Sequence, residues 1–151
     1  MPDSTTESPT PLALLIADHI YQDRATGNWI VAGTFNTILT RRLPFPRSLE
    51  IFFQVTGISR PVELRLRVER ASDGAPMIDI GGPITATDPL QVHTQKVRLL
   101  GLPFTEEGKY WVQLVSQQEI LIQAPLYVRL TRSADPQERQ RGTNEPDASE
   151  K

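Results

Sequence analysis

Residues 62–70 alternate between apolar and charged side chains, and this alternation constrains the fold more than any other feature of the sequence. Four aliphatic residues occupy the even positions: Val62, Leu64, Leu66 and Val68. The odd positions between them hold the charged residues Glu63, Arg65, Arg67 and Glu69. Because successive residues of a strand point to opposite faces of a sheet, this pattern predicts a strand with one buried and one solvated face.

Eight further segments have the same period or are short apolar runs bounded by turn residues. They span residues 12–21, 29–32, 34–40, 49–58, 77–80, 90–100, 109–116 and 119–131. Gly33 predicts a bulge, and the prolines at 44 and 46 exclude residues 43–46 from a central strand. The Gly-Gly-Pro at 81–83 predicts a strand-breaking turn. Since no segment has a helical stripe, the sequence predicts an all-β, antiparallel β-sandwich of immunoglobulin-like type.

The composition predicts one domain between two disordered tails. Residues 1–11 and 133–151 are polar and lack the apolar surface needed to offset the entropy of ordering, so the domain spans 12–132. The absence of cysteine excludes disulfides, thiolate nucleophiles and cysteine-ligated zinc. A formal net charge of -2 gives no strong attraction to nucleic acid or to an anionic membrane. The apolar run at 12–17 is too short for a signal sequence or a membrane span, which predicts a cytoplasmic protein.

Two stretches of the sequence resemble an uncharacterised family of small bacterial β-sandwich proteins, known only as a domain of unknown function. The first comprises Ala-Leu-Leu-Ile-Ala-Asp at 13–18, Asp23, Thr26-Gly27 and Gly-Thr-Phe-Asn-Thr-Ile at 33–38. The second comprises Gly-Leu-Pro-Phe at 101–104, Gly-Lys-Tyr at 108–110 and Pro-Leu-Tyr-Val at 125–128. The chain departs from this family at 116–118, where Ser-Gln-Gln replaces the expected Asp-Gly hairpin. The resemblance implies a β-sandwich fold. It assigns no catalytic residues to this chain, because the family has no established activity.

The two histidines, His19 and His93, are the candidates for acid–base chemistry. A catalytic triad would need a serine and an acid converging on one of them. The sequence contains no Gly-x-Ser-x-Gly elbow, and Asp18, next to His19, would point to the opposite face of a strand. The favoured interpretation places both histidines on the surface or on an edge strand, and no catalytic residue is predicted.

Asp18 and Asp23 raise the alternative of a calcium site, because hard cations bind clustered carboxylates. Residues 23–28 lack the alternating acids of an EF-hand loop, and Asp and Asn beside Gly are ordinary turn residues. The glycines at 81–82 are not followed by Lys-Ser/Thr, which argues against a phosphate-binding loop. We therefore predict no metal and no cofactor.

Exposed aromatic and arginine side chains are the candidates for an interaction surface. They are Trp29, Trp111, Tyr127, Arg65 and Arg67. Aromatic residues on a surface often mark interfaces, and Trp111 faces outward if its neighbours Tyr110 and Val112 face the core. The alternative is that the aromatics pack at the core or its rim, and that the arginines pair across strands with Glu63, Glu69 and Glu50. Tyr110 resembles a tyrosine corner, which is a structural feature.

These observations predict a non-enzymatic protein-binding or assembly module, whose partner is another protein or a second copy of the chain. An exposed edge strand offers a further mode of binding. The alternative is a carbohydrate- or small-ligand-binding protein, or a hydrolase, that uses a cleft between the strand-end loops. Such a cleft would gather His19 or His93 with acids and an exposed tryptophan.

Overall fold

The computed structural model describes residues 7–132, which form nine strands and no helix. The strands are β1 (Thr10–Gln22), β2 (Trp29–Thr34), β3 (Thr37–Thr40), β4 (Phe45–Thr56), β5 (Val62–Arg70), β6 (Pro76–Ile84), β7 (His93–Phe104), β8 (Gly108–Ser116) and β9 (Glu119–Leu130). The predicted tails lie mostly outside the described residues. β1 begins two residues before the predicted start of the domain.

The strands form two sheets that pack face to face. A four-stranded sheet has the order β2-β1-β4-β7, and a five-stranded sheet has the order β3-β9-β8-β5-β6. All neighbouring strands are antiparallel except β3 and β9, which are parallel. The predicted fold class, an immunoglobulin-like β-sandwich, is confirmed.

The core lies between the two sheets and contains the even-numbered residues of β5. Val62, Leu64, Leu66 and Val68 are each at most 5% exposed, whereas the charged residues between them are partly or fully exposed. Each such burial contributes about 1.5–3 kcal/mol relative to an exposed side chain. The alternation that predicted β5 therefore also fixes which face of the five-stranded sheet is solvated.

The exclusion of residues 43–46 from a central strand is wrong for part of this segment. β4 begins at Phe45 and includes Pro46, although it lies between β1 and β7. β1 pairs with β4 only up to Ala17 and Glu50, so the first residues of β4 pair with β7 alone. Proline is tolerated there because one side of the strand needs no hydrogen-bond donor.

The predicted turn at residues 81–83 is also wrong, because β6 continues through Gly81, Gly82 and Pro83 to Ile84. β6 is the edge strand of the five-stranded sheet, where proline costs no ladder hydrogen bond. A Cβ atom on Gly81 would lie 2.2 Å from the carbonyl oxygen of Leu64. Glycine is required there by the close approach of two strands and not by a turn.

The chain changes sheets between β2 and β3. The bulge was predicted at Gly33, which has a positive φ of 73°, but the interruption that divides segment 34–40 lies at Phe35 and Asn36. Phe35 donates a backbone hydrogen bond to Ile16 in one sheet, and Asn36 accepts one from Tyr127 in the other. The change of sheet is therefore fixed by one hydrogen bond on each side.

The β8–β9 hairpin turns through Gln117 and Gln118, with φ values of 50° and 66°. Positive φ at both central residues defines a type I′ turn, the type that Asn-Gly or Asp-Gly normally forms. The departure from the family pattern at 116–118 therefore changes the residues and keeps a two-residue hairpin. Glutamine has no conformational advantage in the left-handed region, so this turn is strained.

Replacing this pair with Asn-Gly, as Gln117→Asn combined with Gln118→Gly, should stabilise the protein by about 1 kcal/mol. Urea denaturation would measure the change, with a Gln91→Asn variant as the control for an exposed glutamine outside the turn. An unchanged or lower midpoint would show that the turn stores no strain.

Among the described residues, no helix is long and apolar enough to cross a membrane.

Candidate functional site

The outer face of the five-stranded sheet brings together four of the five predicted surface residues. Strand register places Trp111 beside Glu69, which follows Arg65 and Arg67 on β5. Tyr127 lies on β9 across from Lys109 of β8. All four predicted residues on this face, namely Arg65, Arg67, Trp111 and Tyr127, are partly exposed.

One end of this face is a charge ladder, which we define as Glu63, Arg65, Arg67 and Asp79. Arg65 Nε lies 2.8 Å from Asp79 Oδ1, and Arg65 Nη1 lies 2.7 Å from Glu63 Oε1. Arg67 Nε lies 3.5 Å from Asp79 Oδ2. Cross-strand pairing, the alternative interpretation of the arginines, therefore holds for both, although their shared partner, Asp79, was not among the predicted acids.

The ladder changes the ionisation of Asp79. Its hydrogen bond from Arg65 lowers the pKa of the Asp79 carboxyl group, with further contributions from the charges of Arg65 and Arg67. The same contacts raise the pKa of Arg65. Because the pKa of Asp79 is depressed in the folded state, its stabilising contribution is present above the unfolded-state pKa and is lost as the pH falls through the folded-state pKa.

We expect Arg65→Ala to raise the pKa of Asp79 towards its ordinary value, since the main hydrogen bond to the ionised carboxylate is removed. Carbon-detected NMR titration of the side-chain carboxyl group would measure this shift. Arg60→Ala, which removes an exposed arginine from a loop, should leave the Asp79 titration unchanged. An unaltered pKa in the Arg65 variant would contradict the assignment.

The other end of the face is a cation–aromatic patch, which we define as Lys109, Trp111, Tyr127 and Arg129. The Nζ of Lys109 lies 3.8 Å from the ring centroid of Trp111 and 6.0 Å from that of Tyr127. Arg129 Cζ lies 5.9 Å from the Tyr127 centroid. Within residues 7–132, neither Lys109 nor Arg129 has an acidic partner.

A buried amide lies between the ladder and the patch. Gln113 is 2% exposed, and its Nε2 donates to Glu69 Oε1 at 3.1 Å and to Gln123 Oε1 at 3.2 Å. These bonds connect β5, β8 and β9 across the outer face. Each donor bond contributes roughly 1 kcal/mol, so the amide ties the three strands together beside the patch.

The sequence did not identify Lys109 and Arg129 as members of this patch. A signal was present, because Lys109 and Trp111, and likewise Tyr127 and Arg129, are two residues apart on strands and share a face. The outward orientation of Trp111 is confirmed, since Tyr110 is 1% exposed in the core. Tyr110 also donates its hydroxyl to the backbone oxygen of Glu106 at 2.8 Å, as expected for a tyrosine corner.

The structure does not bring Trp29 to this face. Trp29 lies on β2 in the other sheet, where its ring packs edge-on against Phe52 with a centroid distance of 5.9 Å. Ala17 and Ile20 complete this small apolar cluster on the outside of the four-stranded sheet. Rim packing, the alternative interpretation of the aromatics, therefore applies to Trp29.

A cleft of about 530 Å³ opens where β1 separates from β4. Its charged and polar lining consists of Asp18, His19, Arg47, Ser48, Glu50 and Arg98. This is the gathering of a histidine with acids that the ligand-binding alternative requires, although no tryptophan lines the cleft. Arg47 Nη2 lies 2.6 Å from Asp18 Oδ1, so one acid is already paired.

The second acid of the cleft, Glu50, has a structural role. Ile20 lies beyond the last pair of β1 with β4, and its backbone N–H donates to the Glu50 carboxylate. The neighbouring Lys96 donates through Nζ to the Ile20 backbone oxygen at 2.9 Å. The side chains of Glu50 and Lys96 therefore satisfy the backbone N–H and oxygen of Ile20 where β4 no longer pairs with β1. This contact accounts for the burial of Glu50.

The remaining predicted residues are separated from one another. Asp23 Oδ1 accepts from the backbone N–H of Ala25 at 2.7 Å, as a turn residue does, and Asp18 pairs with Arg47 instead. Within residues 7–132, no three acidic or histidine side chains are grouped to hold a metal ion. His93, half-buried at the start of β7, lies outside the cleft.

The two packed sheets and their strand order define the chain as an immunoglobulin-like β-sandwich protein. The model of a family described as "Family of unknown function (DUF6941)" matches residues 12–129, so the chain belongs to this family, in agreement with the predicted resemblance. No curated protein matches the sequence.

The solved structures that are similar to the chain include two that are 11% identical to it. One is an immunoglobulin-like protein from Pseudomonas aeruginosa, with a TM-score of 0.41 over 83% of this chain and 100% of that protein. The other is a β-glucosidase from Listeria innocua, with a TM-score of 0.38 over 77% of this chain but only 16% of the enzyme.

Proposed function

We propose that this protein is a non-enzymatic binding module that recognises an acidic segment of another protein through the cation–aromatic patch. The supporting observation is the combination of two cations over two aromatic rings, with no acidic side chain of the described residues within 4.0 Å of either cation. Trp, Tyr and Arg are the residues that contribute most to protein interfaces. We also propose that the protein acts in the cytoplasm, and cell fractionation would test this location.

A protein partner fits the patch better than a nucleic acid. The charge ladder beside the patch places Glu63 and Asp79 on the same face, and they would repel a phosphate backbone. The formal net charge of -2 also opposes binding to a polyanion. A short acidic segment, in contrast, would contact Lys109 and Arg129 without reaching the acids of the ladder.

The cleft beside β1 supports a ligand-binding or hydrolytic function less well than the patch supports protein binding. Its two acids are already engaged, Asp18 with Arg47 and Glu50 with the backbone of Ile20. His19 is exposed and has no side-chain hydrogen bond among the described residues. The two acids of the cleft therefore act on the protein itself.

A photo-crosslinking amino acid at position 125, which lies opposite Trp111 and leaves both cations in place, would test the proposal in native extract. We expect a discrete crosslinked protein that carries an acidic segment, and we expect its yield to fall several-fold in high salt, because ionic screening weakens surface attraction. The same crosslinker at exposed Gln22, on the other sheet, should give no such product. A nucleic-acid adduct, or equal products from both positions, would contradict the proposal.

A matched pair of double variants separates the patch from overall charge. Lys109→Glu with Arg129→Glu should abolish the interaction that the crosslink identifies, measured with the purified partner. Arg24→Glu with Arg60→Glu changes the net charge equally at exposed loop positions and should leave binding within about twofold. Equal loss of binding in both would show that the patch is not the contact surface.

A further inference from the structure

A slot of about 330 Å³ opens between the two sheets where the edge strands β6 and β7 face each other. Its base is formed by four core side chains that are each at most 4% exposed: Phe53, Leu64, Leu66 and Leu114. Ile80 of β6 and Val97 of β7 line its sides. The slot is thus an apolar opening into the core of the sandwich.

The slot exists because one inward position of β6 has no side chain. Gly82 lies directly opposite Leu64, in the row that continues with Ile80 opposite Leu66. A Cβ atom on Gly82 would meet no atom within 4 Å. Ile80 belongs to this inward row and is nevertheless 39% exposed. The inner surface of β6 is therefore incompletely covered.

Both strands that border the slot are sheet edges, but they differ as templates for another strand. β6 contains Pro76 and Pro83, which have no N–H to donate. In β7, the residues from 93 to 102 contain no proline. An edge strand presents every second N–H and C=O away from its sheet. Since β7 lacks proline over these residues, its row of unpaired N–H and C=O groups is more complete than that of β6.

The side chains of β7 alternate between the slot and the outside of its sheet. Gln95 and Val97 line the slot, while the intervening Lys96 and the following Arg98 are exposed on the other face. Lys96 also donates to the backbone oxygen of Ile20, and Arg98 Nε lies 3.9 Å from Glu50 Oε1 with its side chain still 67% exposed. A strand added beside β7 would place its own side chains in the same alternation. Apolar residues would lie towards Ile80, and acidic residues would lie beside the two cations.

From these observations we propose that β7 accepts an extended segment of a partner protein in which apolar residues alternate with acidic ones. The segment extends the four-stranded sheet, and an apolar side chain enters the slot above Gly82. Main-chain hydrogen bonds provide the affinity, and the slot and the cations provide the selectivity. This contact region is separate from the cation–aromatic patch and does not depend on it.

The charges of β7 oppose pairing of this strand with a second copy of itself. Antiparallel pairing of two β7 strands would bring Lys96 and Arg98 of one copy close to the same residues of the other. Like charges on facing strands destabilise such a pair. A partner of opposite charge is therefore favoured.

The test uses a synthetic peptide of about nine residues, a typical strand length, in which valine alternates with glutamate. We expect NMR shifts at residues 80–84 and 94–100, and slower hydrogen exchange of the outward β7 amides. A peptide that alternates valine with lysine should bind at least tenfold more weakly. Absence of binding, or shifts confined to other edges or to the patch, would overturn the proposal.

Gly82→Val provides a variant whose folding can be checked independently. The added side chain fills the slot, so we expect an unchanged or raised melting temperature and at least a tenfold loss of peptide affinity. Lys96→Gln with Arg98→Gln should weaken binding several-fold in low salt, whereas Lys109→Glu with Arg129→Glu should leave it unchanged. Full affinity in a folded Gly82→Val protein, or shifts in the slot without protection of β7 amides, would refute strand addition.

Discussion

Gly81→Ala should destabilise the protein by about 3 kcal/mol, within the range found for overpacked interiors. The added methyl group would lie 2.2 Å from the carbonyl oxygen of Leu64 and 2.7 Å from the Cα atom of Arg65. Both are backbone atoms of β5, so relief requires β6 to move away from its partner. Urea denaturation followed by circular dichroism would measure the loss.

Gly82→Ala is the matched control, because it adds the same group one residue later in the same strand. Nothing lies within 4 Å of the Cβ position, and alanine reduces the entropy of the unfolded chain. We expect stability to be unchanged or raised by about 0.5 kcal/mol. Similar losses in the two variants would indicate that glycine is needed here for flexibility and not for the close approach of β6 to β5.

The second large effect concerns Glu50→Ala, for which we expect a loss of about 2–3 kcal/mol. The backbone N–H of Ile20 would lose its acceptor where β1 has separated from β4. Lys96, which donates to the backbone oxygen of Ile20, would also lose the nearby negative charge. The loss should be visible in the same denaturation experiment.

Glu50→Gln keeps a side-chain oxygen that can accept the hydrogen bond from Ile20 and should recover at least half of the loss. Hydrogen exchange at the Ile20 amide gives a local readout, which we expect to be fast in the alanine variant and slow in the glutamine variant. If both variants exchange as slowly as the wild type, another group satisfies this amide and the assigned role of Glu50 is wrong.

Most of the fold could be predicted because strand periodicity is a local property of the sequence. Residues 62–70 gave the bounds of β5 and its buried face. The wrong predictions concern segments that contain proline, because a strand accepts proline only at certain positions in the sheet. Pro46 and Pro83 are acceptable because each lies where one side of the strand is unpaired. The sequence alone does not contain the strand order that creates those positions.

The candidate site could be predicted only in part, because the sequence does not contain the order and register of the strands. The outward orientation of Trp111 and its place beside Lys109 follow from alternation within β8, but the approach of Lys109 to Tyr127 depends on the register between β8 and β9. Trp29 is also a tryptophan on a strand, yet its ring packs edge-on against Phe52 of β4, which lies two strands away in the same sheet. The slot beside Gly82 was missed because the glycines predicted a turn.

The parallel pairing of β3 with β9 has a consequence for the order in which the protein forms. Thr37 pairs with Tyr127, so this contact closes most of the chain, and such distant contacts are slow to form. The β8–β9 hairpin, which presents all four residues of the patch, needs only neighbouring residues. During synthesis, β3 therefore cannot pair until β9 has been made.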